Sequence, residues 1–468
     1  MVSREVNVGA TGSCKNGADS SQSHLTRTEG SPQMNRFMTD NIGSCDTMVS
    51  VGGTSARSNT VFGKNSDRPF DETQPLELHP RQDHPAGADA GCQFVSVPQV
   101  STTYRHVGSR PYWCHGYEHG FNEHQVIIGN EAFPSKASAV SEPRLIGMEL
   151  VKLGLERGAT AAEAAEVITS LTEQYGQGKF ENDAGVRTYD NLFIVADPTE
   201  AYIVETVEHD WAVKRVDGVA SISNVGSIRT DWTSISPAHR PTNGDGPVDW
   251  GNLVADWEGA ESGTDRQCRS NAVLGANAGG IDVKTMMSVL SDHLLDEDPS
   301  NQPDPFPGSQ RGVCTHSDDG VARGTTAASV IADLNSDGSR LPIYWCNLYS
   351  PCMGLYFPVF MEGTLPPELA IGGKTRSSDS PWWLFYDITQ SGLANGHERV
   401  AEVRAAWAPL QTELFESADA LAVEAAGLVA DGQADRANKQ LTAFMAESVG
   451  RMMIIARNLA ATSAVNAS

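Results

Sequence analysis

The stretch Gly43-Ser44-Cys45-Asp46-Thr47 decides how we interpret the chain, because a strand-like apolar run follows the cysteine directly. If the bond before Cys45 is cut, one residue carries both a thiol and a free α-amine. Their reference pKa values are about 8.5 and about 7.7–8.0, so near neutrality each can exchange protons with the other. A nucleophile and its base would then share one residue. The alternative is an ordinary half-buried strand cysteine, since free cysteines are among the most buried residues.

Residues 1–44 are rich in Ser, Gly, Thr and Asn and show almost no aliphatic periodicity. Such a segment cannot bury enough apolar surface to order itself, so we expect a disordered leader or a propeptide. A misassigned start is a third possibility, because Met34 and Met38 could each open a shorter chain. Under all three interpretations Cys45 lies near the beginning of the folded part.

The composition excludes several classes of partner and of protein. The 468 residues include 34 Lys and Arg against 59 Asp and Glu, a formal net charge of −25, which argues against nucleic acid or an anionic membrane as partner. No apolar run is long enough to span a bilayer. Eight cysteines are dilute and irregularly spaced. They favour reduced thiols in a cytoplasmic protein over a disulfide framework.

The pattern of strands and helices predicts an α+β fold. Two strands, 45–51 and 59–63, form a hairpin with Cys45 at its head. Residues 143–176 predict two helices, the second capped by Thr160 and Glu163. Four strands between 192 and 223 read as an antiparallel meander, and residues 400–421 and 434–459 as long helices. One domain follows, with a core over 45–365, a C-terminal helical extension over 366–468 and four α/β/β/α layers built on two antiparallel sheets.

Polar side chains fall where these predicted elements begin or end. Lys64 and Asp67 belong to a polar cluster, residues 63–69, expected to leave the second strand one hairpin away from the thiol, with Asp67 and Arg68 as a possible surface ion pair. Asn130 and Asn224 supply amides at strand ends, where a carbonyl or oxyanion could be held, although such residues are more often turn formers.

Of the site chemistries that the sequence offers, metal binding has the least support. His106, His115, His119 and His124 cluster in sequence, but in a loop rich in Gly and aromatic residues. Cys314 and His316 form a close pair, yet a structural zinc site needs four ligands. We therefore expect no metal and no cofactor, and a metallohydrolase stays a minor alternative.

As a set, several motifs resemble the secernins and the bacterial dipeptidase A peptidases. They are Cys45-Asp46-Thr47, Phe62-Gly63-Lys64-Asn65-Ser66-Asp67-Arg68-Pro69, Asn122-Glu123-His124, Gly129-Asn130-Glu131-Ala132, the segment 145–158 and Thr325-Thr326-Ala327-Ala328-Ser329. The resemblance runs from Cys45 to about residue 360. It implies the N-terminal nucleophile (Ntn) hydrolase fold, removal of the leader by processing, and hydrolysis of dipeptides or small amides through an acyl-enzyme.

A more distant likeness to penicillin V and bile-salt amidases implies the roles of single residues. Cys45 is similar in position to their nucleophile, Lys64 to an arginine beside it and Asp67 to an aspartate. Asn130 and Asn224 resemble their strand-end asparagines, and either these amides or the main-chain N–H groups beside them would hold the oxyanion. Arg266 resembles an arginine before a helix. Lys64 keeps the positive charge but lacks the guanidinium fork of that arginine.

The resemblance leaves a rival function open. Secernins are named for a part in exocytosis, so the fold could serve as a catalytically silent scaffold or regulatory protein. If residues 1–44 stay attached, Cys45 has no free α-amine and the proposed base is missing. Members of this superfamily often assemble, so a homo-oligomer is possible.

Overall fold

The computed structural model describes residues 44–137, 142–178, 180–182, 185–187, 190–241, 246–256, 261–294, 312–316 and 324–465. Apart from Ser44, the expected leader lies outside this range. The described part of the chain contains groups of strands separated by groups of helices until residue 380, and two long helices, Pro381–Ala430 and Ala434–Val465, make up nearly all of the rest.

The strands follow one another in the order β1 (Asp46–Ser50), β2 (Val61–Pro69), β3 (Leu76–His79), β4 (Gln82–Asp83), β5 (Asp89–Gly91), β6 (Ser96–Pro98), β7 (Thr102–Thr103), β8 (His106–Ser109), β9 (His119–Asn122), β10 (Ile127–Phe133), β11 (Phe180–Asn182), β12 (Gly185–Arg187), β13 (Asp190–Ala196), β14 (Ala201–Val207), β15 (Asp210–Arg215), β16 (Val219–Ile222), β17 (Ser234–Ile235), β18 (Gly324–Asp333), β19 (Ile343–Asn347) and β20 (Phe357–Val359). The α-helices are α1 (Gly147–Arg157), α2 (Ala161–Tyr175), α3 (Trp250–Val254), α4 (Glu261–Ala276), α5 (Val283–Leu290), α6 (Pro381–Ala430) and α7 (Ala434–Val465).

Two large antiparallel sheets form the body of the protein. The first has six strands in the order β16-β1-β2-β18-β19-β20, and the second has eight in the order β17-β15-β14-β13-β10-β9-β8-β3. Strand β1 pairs with β16 on one side and β2 on the other, so Thr47 lies between Ile222 and Lys64. The residue that opens β1 therefore sits inside the first sheet and not at its edge.

Four layers result from the packing of these sheets. Strands β1 and β2 contact β10 and β13 across the interface between the sheets, α1 and α2 cover the outer face of the second sheet, and α4 and α5 cover the outer face of the first. Met48, Val49 and Phe62 from the first sheet join Ile127 and Leu192 from the second in one continuous buried core. The α+β prediction of two antiparallel sheets between helical layers is confirmed.

Strand β2 is longer than the sequence pattern predicts. The polar cluster expected after Gly63 continues the strand to Pro69, because β1 and β18 hydrogen-bond to its two edges. Strand β18 pairs along the whole of β2 and β1 as far as Asn65, and both Lys64 and Asp67 are buried. The predicted surface ion pair of Asp67 and Arg68 is wrong.

Arg68 instead pairs with two buried carboxylates. Its Nε donates to Glu72 Oε1 at 2.6 Å and its Nη1 to Glu118 Oε1 at 2.9 Å. Local sequence favoured its neighbour Asp67 as partner, but adjacent residues of a strand point to opposite faces.

Two further boundaries differ from the sequence pattern, and both matter for the site. Strand β10 runs to Phe133, which places Asn130 in the middle of a strand and not at its end. The predicted four-strand meander divides between the sheets: β13, β14 and β15 belong to the second, whereas β16 crosses to the first and pairs with β1. That crossing carries Asn224, just after β16, to the N-terminal end of β1.

The predicted helix pair and the C-terminal helices are present. The Thr160 hydroxyl accepts from Glu163 N at 3.1 Å at the start of α2, and Glu163 Oε2 accepts from Ala159 N at 2.8 Å. Helix α6 is longer than predicted and is interrupted at Gly396, which has a φ of 74°. Within the described residues, no helix is both long and apolar enough to cross a bilayer.

Candidate active site

Cys45 lies immediately before β1, with polar neighbours at both its nitrogen and its sulfur. Its main-chain N–H donates to Asn224 Oδ1 at 2.9 Å, and its Sγ accepts from the main-chain N–H of Asp67 at 3.3 Å. The residue is 5% exposed. Because β16 and β2 flank β1, residues 179 and 22 positions away converge on one cysteine.

Arg266 holds the main chain around Cys45 from helix α4. Its Nη1 donates to Cys45 O at 3.0 Å and to Asp46 Oδ2 at 2.6 Å, and its Nη2 donates to Asn224 Oδ1 at 2.9 Å. Asp46 also accepts from the Ser223 hydroxyl. One guanidinium thus fixes the carbonyl of Cys45 and the amide that holds its nitrogen, a use of the planar fork that Lys could not reproduce.

Lys64 supplies a buried positive charge beside the thiol. Its Nζ donates to Asn130 O at 2.6 Å and lies 3.8 Å from Glu131 Oε1. Burial alone would lower the pKa of Lys64, but Cys45, Glu131, Glu118 and Asp67 raise it when they are ionised, and the pKa lies above the ordinary lysine value. The amine therefore stays protonated at neutral pH.

Gly129 makes room for this lysine. A β-carbon at Gly129 would lie 2.4 Å from Lys64 Cδ and 3.0 Å from Thr47 Oγ1. The bare main chain of β10 is thus what allows the Lys64 stem to cross it between the two sheets.

Asp67 contacts the residue on the other side of the predicted cleavage point. Its Oδ2 accepts from the Ser44 hydroxyl at 2.6 Å, and among the described residues its Oδ1 has no hydrogen-bond partner. Burial raises the pKa of Asp67 to about 7, against the lowering effect of the Ser44 bond. The carboxyl group consequently titrates close to neutrality, with Thr326 as a second hydrogen-bonding neighbour.

The Cys45 thiol is protonated in the uncleaved chain. Burial raises its pKa to about 12, although the Lys64 charge acts in the opposite direction. Its nitrogen is an amide and cannot accept a proton. The thiol therefore needs a base that the chain with Ser44 attached does not supply at this residue.

Asn130 is held differently from the other five predicted site residues. Gly129 faces Lys64, so by strand alternation the Asn130 side chain points to the opposite face of the second sheet. There its amide contacts the Asn191 amide at 3.1 Å, and its main-chain N–H donates to Glu118 O at 3.2 Å. Only its carbonyl reaches the site, as the acceptor for Lys64. A part in holding an oxyanion stays a prediction for this residue.

The structure thus brings Cys45, Lys64, Asp67, Asn224 and Arg266 together. Sequence reasoning missed Asp46, which anchors Arg266, and Glu131, whose carboxylate accepts from Thr47 Oγ1 and faces Lys64. Burial raises the pKa of Glu131 to about 8, against the influence of Lys64. In the sequence, the feature that points to Glu131 is its position two residues after Gly129, the glycine that makes room for Lys64.

The four clustered histidines do not converge on one point. His106 bonds Tyr104 O at 2.8 Å and the Tyr117 hydroxyl at 3.1 Å, and His124 packs edge-on against the Tyr104 ring. Strand pairing explains the divergence, since His106 and His119 lie on adjacent strands but at opposite ends of their four-residue pairing.

No family model matches the sequence. The structure is similar to a variant of the conjugated bile acid hydrolase from Clostridium perfringens, with a TM-score of 0.39 and 14% identity over 65% of this chain and 89% of that one. It is also similar to penicillin V acylase from Agrobacterium tumefaciens, with a TM-score of 0.38 and 14% identity over 68% and 86% of the two chains.

A third similar structure is the N-acylethanolamine-hydrolyzing acid amidase ortholog from Caenorhabditis elegans. Its TM-score is 0.32 and its identity 11%, over 61% of this chain and 92% of that one. Similarities this low leave the function to be argued from the geometry around Cys45.

Proposed function

We propose that this protein is a cysteine-type N-terminal nucleophile hydrolase that cleaves the amide bond of dipeptides or similarly small amides. Removal of the residues before Cys45 generates the active form. The proposal is supported by the surroundings of Cys45 and by the motif resemblance to secernins and dipeptidase A peptidases.

One observation carries the proposal: the nitrogen and the sulfur of the same residue are both engaged by polar groups from neighbouring strands. Asn224 Oδ1 holds the nitrogen at 2.9 Å, and the Asp67 N–H reaches the sulfur at 3.3 Å. An ordinary core cysteine packs as a small apolar residue with its main-chain nitrogen paired to a backbone carbonyl, whereas here the acceptor is a side-chain amide that Arg266 holds in turn. Cleavage before Cys45 would turn the held amide into a held amine.

In the proposed reaction the freed α-amine accepts the thiol proton, and Lys64 favours the resulting thiolate as a nearby cation does. The sulfur bonds to the substrate carbonyl carbon while Asn224 and Arg266 keep the nitrogen and carbonyl of Cys45 in position. Collapse of the tetrahedral intermediate breaks the C–N bond, and the α-ammonium gives its proton to the leaving amine.

Water then attacks the thioester carbon. The carboxylic acid product leaves and the thiol is restored with its proton. We assign the oxyanion to the Asn224 Nδ2 group, which donates to Ala132 O at 2.8 Å in the uncleaved chain. Losing one such donor typically lowers the rate about a hundredfold or more.

Asp67 suggests why a dipeptide fits this site. Its Oδ2 now holds the Ser44 hydroxyl, and its Oδ1 lacks a partner among the described residues. Departure of Ser44 leaves a buried carboxylate beside the nucleophile. A substrate ammonium would neutralise it, and dipeptides carry their ammonium one residue from the scissile bond.

The experiment measures the intact mass of the purified protein and its turnover of a dipeptide panel, for the wild type, Cys45→Ala and Cys346→Ser. Cys346 is a matched control. It is buried like Cys45, and its sulfur lies 3.9 Å from the main-chain oxygen of Tyr344. We expect a wild-type mass that corresponds to a chain beginning at Cys45, and hydrolysis that Cys45→Ala abolishes and Cys346→Ser retains. Undiminished hydrolysis by Cys45→Ala refutes the assignment.

A catalytically silent scaffold is the second candidate, favoured by the raised pKa of the thiol while Ser44 is attached. In that case the purified chain keeps its full mass and hydrolyses none of the dipeptides. A synthetic or protease-cleaved chain beginning at Cys45 separates the two: activity gained on cleavage supports the hydrolase, and continued inactivity supports the scaffold.

A further inference from the structure

Four side chains with metal-binding atoms converge on the side of the first sheet that faces α5. They are His293, Cys314, His316 and Cys352, all buried, and one ligand atom of each lies within 4.8 Å of the others. They come from three segments: the residues after α5, the stretch 312–316 and the short helical turn Pro351–Met353. The mechanism proposed for Cys45 uses none of them.

The distances between these atoms are those of a small coordination tetrahedron. His316 Nε2 lies 3.1 Å from His293 Nε2, 3.2 Å from Cys352 Sγ and 3.6 Å from Cys314 Sγ. With Zn–N bonds of about 2.0–2.1 Å and Zn–S bonds of about 2.3 Å, tetrahedral geometry gives N···N edges of about 3.3 Å and N···S edges of about 3.5 Å. The three measured edges lie within about 0.3 Å of those values.

The surroundings orient the ligands as a metal site requires. His316 directs Nε2 inward because its other nitrogen, Nδ1, lies 3.3 Å from the Ser350 hydroxyl. Such outer-shell partners fix the ring orientation of metal-bound histidines. Two thiolates with two imidazoles are a donor set typical of zinc, and four protein ligands leave no position for a substrate or water.

We propose that His293, Cys314, His316 and Cys352 bind one structural zinc ion. Its role follows from what the segment 312–316 contacts. Asn65 Nδ2 on strand β2 donates to Val313 O at 2.8 Å, and the Thr315 hydroxyl lies 3.2 Å from the Ser44 hydroxyl. The ion would tie this segment to α5 and to the Pro351–Met353 turn, and so support β2 beside Cys45. The zinc site is independent of the hydrolase proposal.

The test is metal analysis of the full chain, expressed without a histidine tag and dialysed against metal-free buffer. We expect about one zinc per chain in the wild type. Cys352→Ser and Cys314→Ser should lower retained zinc at least about tenfold. Cys114→Ser should retain it, because that buried cysteine bonds Gly116 N at 3.2 Å and is outside the cluster.

Cobalt substitution and X-ray absorption of the wild type keep the proposal testable if the variants do not fold. Tetrahedral cobalt with two thiolates gives intense visible and thiolate-to-metal charge-transfer bands, and zinc X-ray absorption should report two sulfur and two nitrogen neighbours. A wild type that retains no zinc and takes up neither ion overturns the proposal. So does a Cys314–Cys352 disulfide in the metal-free protein, or zinc retention unchanged in both cysteine variants.

Discussion

Replacing Gly129 with alanine tests whether the position of Lys64 controls the thiol. The added β-carbon would lie 2.4 Å from Lys64 Cδ. Carbon atoms in ordinary contact are about 3.5–4.0 Å apart, so the lysine stem must move by about 1.1–1.6 Å. A shift of that size is enough to break the 2.6 Å bond from Nζ to Asn130 O.

The Gly129→Ala substitution should change both the free energy of unfolding and the pKa of the Cys45 thiol. Overpacking of this kind costs about 1–3 kcal/mol, so the free energy of unfolding should fall by that amount. Displacing a cation from a thiol raises the thiol pKa by at least about one unit, which lowers the thiolate fraction about tenfold at fixed pH. Alkylation of Cys45 by iodoacetamide should slow by the same factor.

The assay follows Cys45 alkylation by peptide mass spectrometry, beside thermal unfolding of the same samples. Gly154→Ala is the matched control: its β-carbon would lie 2.7 Å from Ile128 Cδ1, a similar overlap on the far side of the second sheet. We expect both variants to lose stability and only Gly129→Ala to lose alkylation rate. An alkylation rate in Gly129→Ala equal to or above that of the wild type refutes the reasoning.

Three further predictions concern stability. Burial raises the pKa of Asp67 to about 7, above its unfolded value of about 3.9, so its destabilising effect grows as the pH rises from about 4 to about 7 and is complete above that; Asp67→Asn should therefore melt higher than the wild type at about pH 8 by a margin that shrinks as the pH falls toward about 4, and an equal difference at both would contradict this. Thr160→Ala should lower the free energy of unfolding in urea by about 1 kcal/mol because the helix cap is lost, whereas Thr160→Ser should retain most of the stability. An unchanged unfolding midpoint in Thr160→Ala would count against the cap. Arg266→Met leaves Asp46 buried without its ion pair and should cost about 3–5 kcal/mol, whereas Arg451→Met, at an exposed pair, should leave unfolding unchanged; similar losses in both would disprove the role of burial.

Features coded over short distances were predictable from the sequence. The cap of α2 depends on Thr160 and Glu163, three residues apart, and each helix end there follows from Gly158 or Gly176. The strands β13 to β15 follow from short strand-like runs between recognisable turns. In the helix pair the stabilising contact lies within a few residues along the chain, and β14 pairs with the strands directly before and after it in sequence.

Errors arose where a partner from a distant part of the chain decided the outcome. The residues after Gly63 look like a polar loop, yet β18, more than 250 positions further along, completes the pairing that keeps them in a strand. Asn130 was predicted at a strand end, but pairing with β13 continues β10 to Phe133 and leaves Asn130 in the middle of the strand. Local sequence contains neither fact.

The buried Cys314 and His316 show the same limit. A pair separated by one residue was weak evidence for metal, because two ligands are half of a zinc site. His293 and Cys352 join them only through the fold, at separations of 23 and 36 residues from His316.

By itself the sequence determined the α+β class, the helix pair and the position of Cys45 directly before a strand. Periodicity, capping and turn residues encode these features locally, where each residue acts with neighbours a few positions away. Only the tertiary structure decided what surrounds that cysteine. Asn224, Arg266 and Asp67 reach it because strand pairing and helix packing set distances in space that separation along the chain does not.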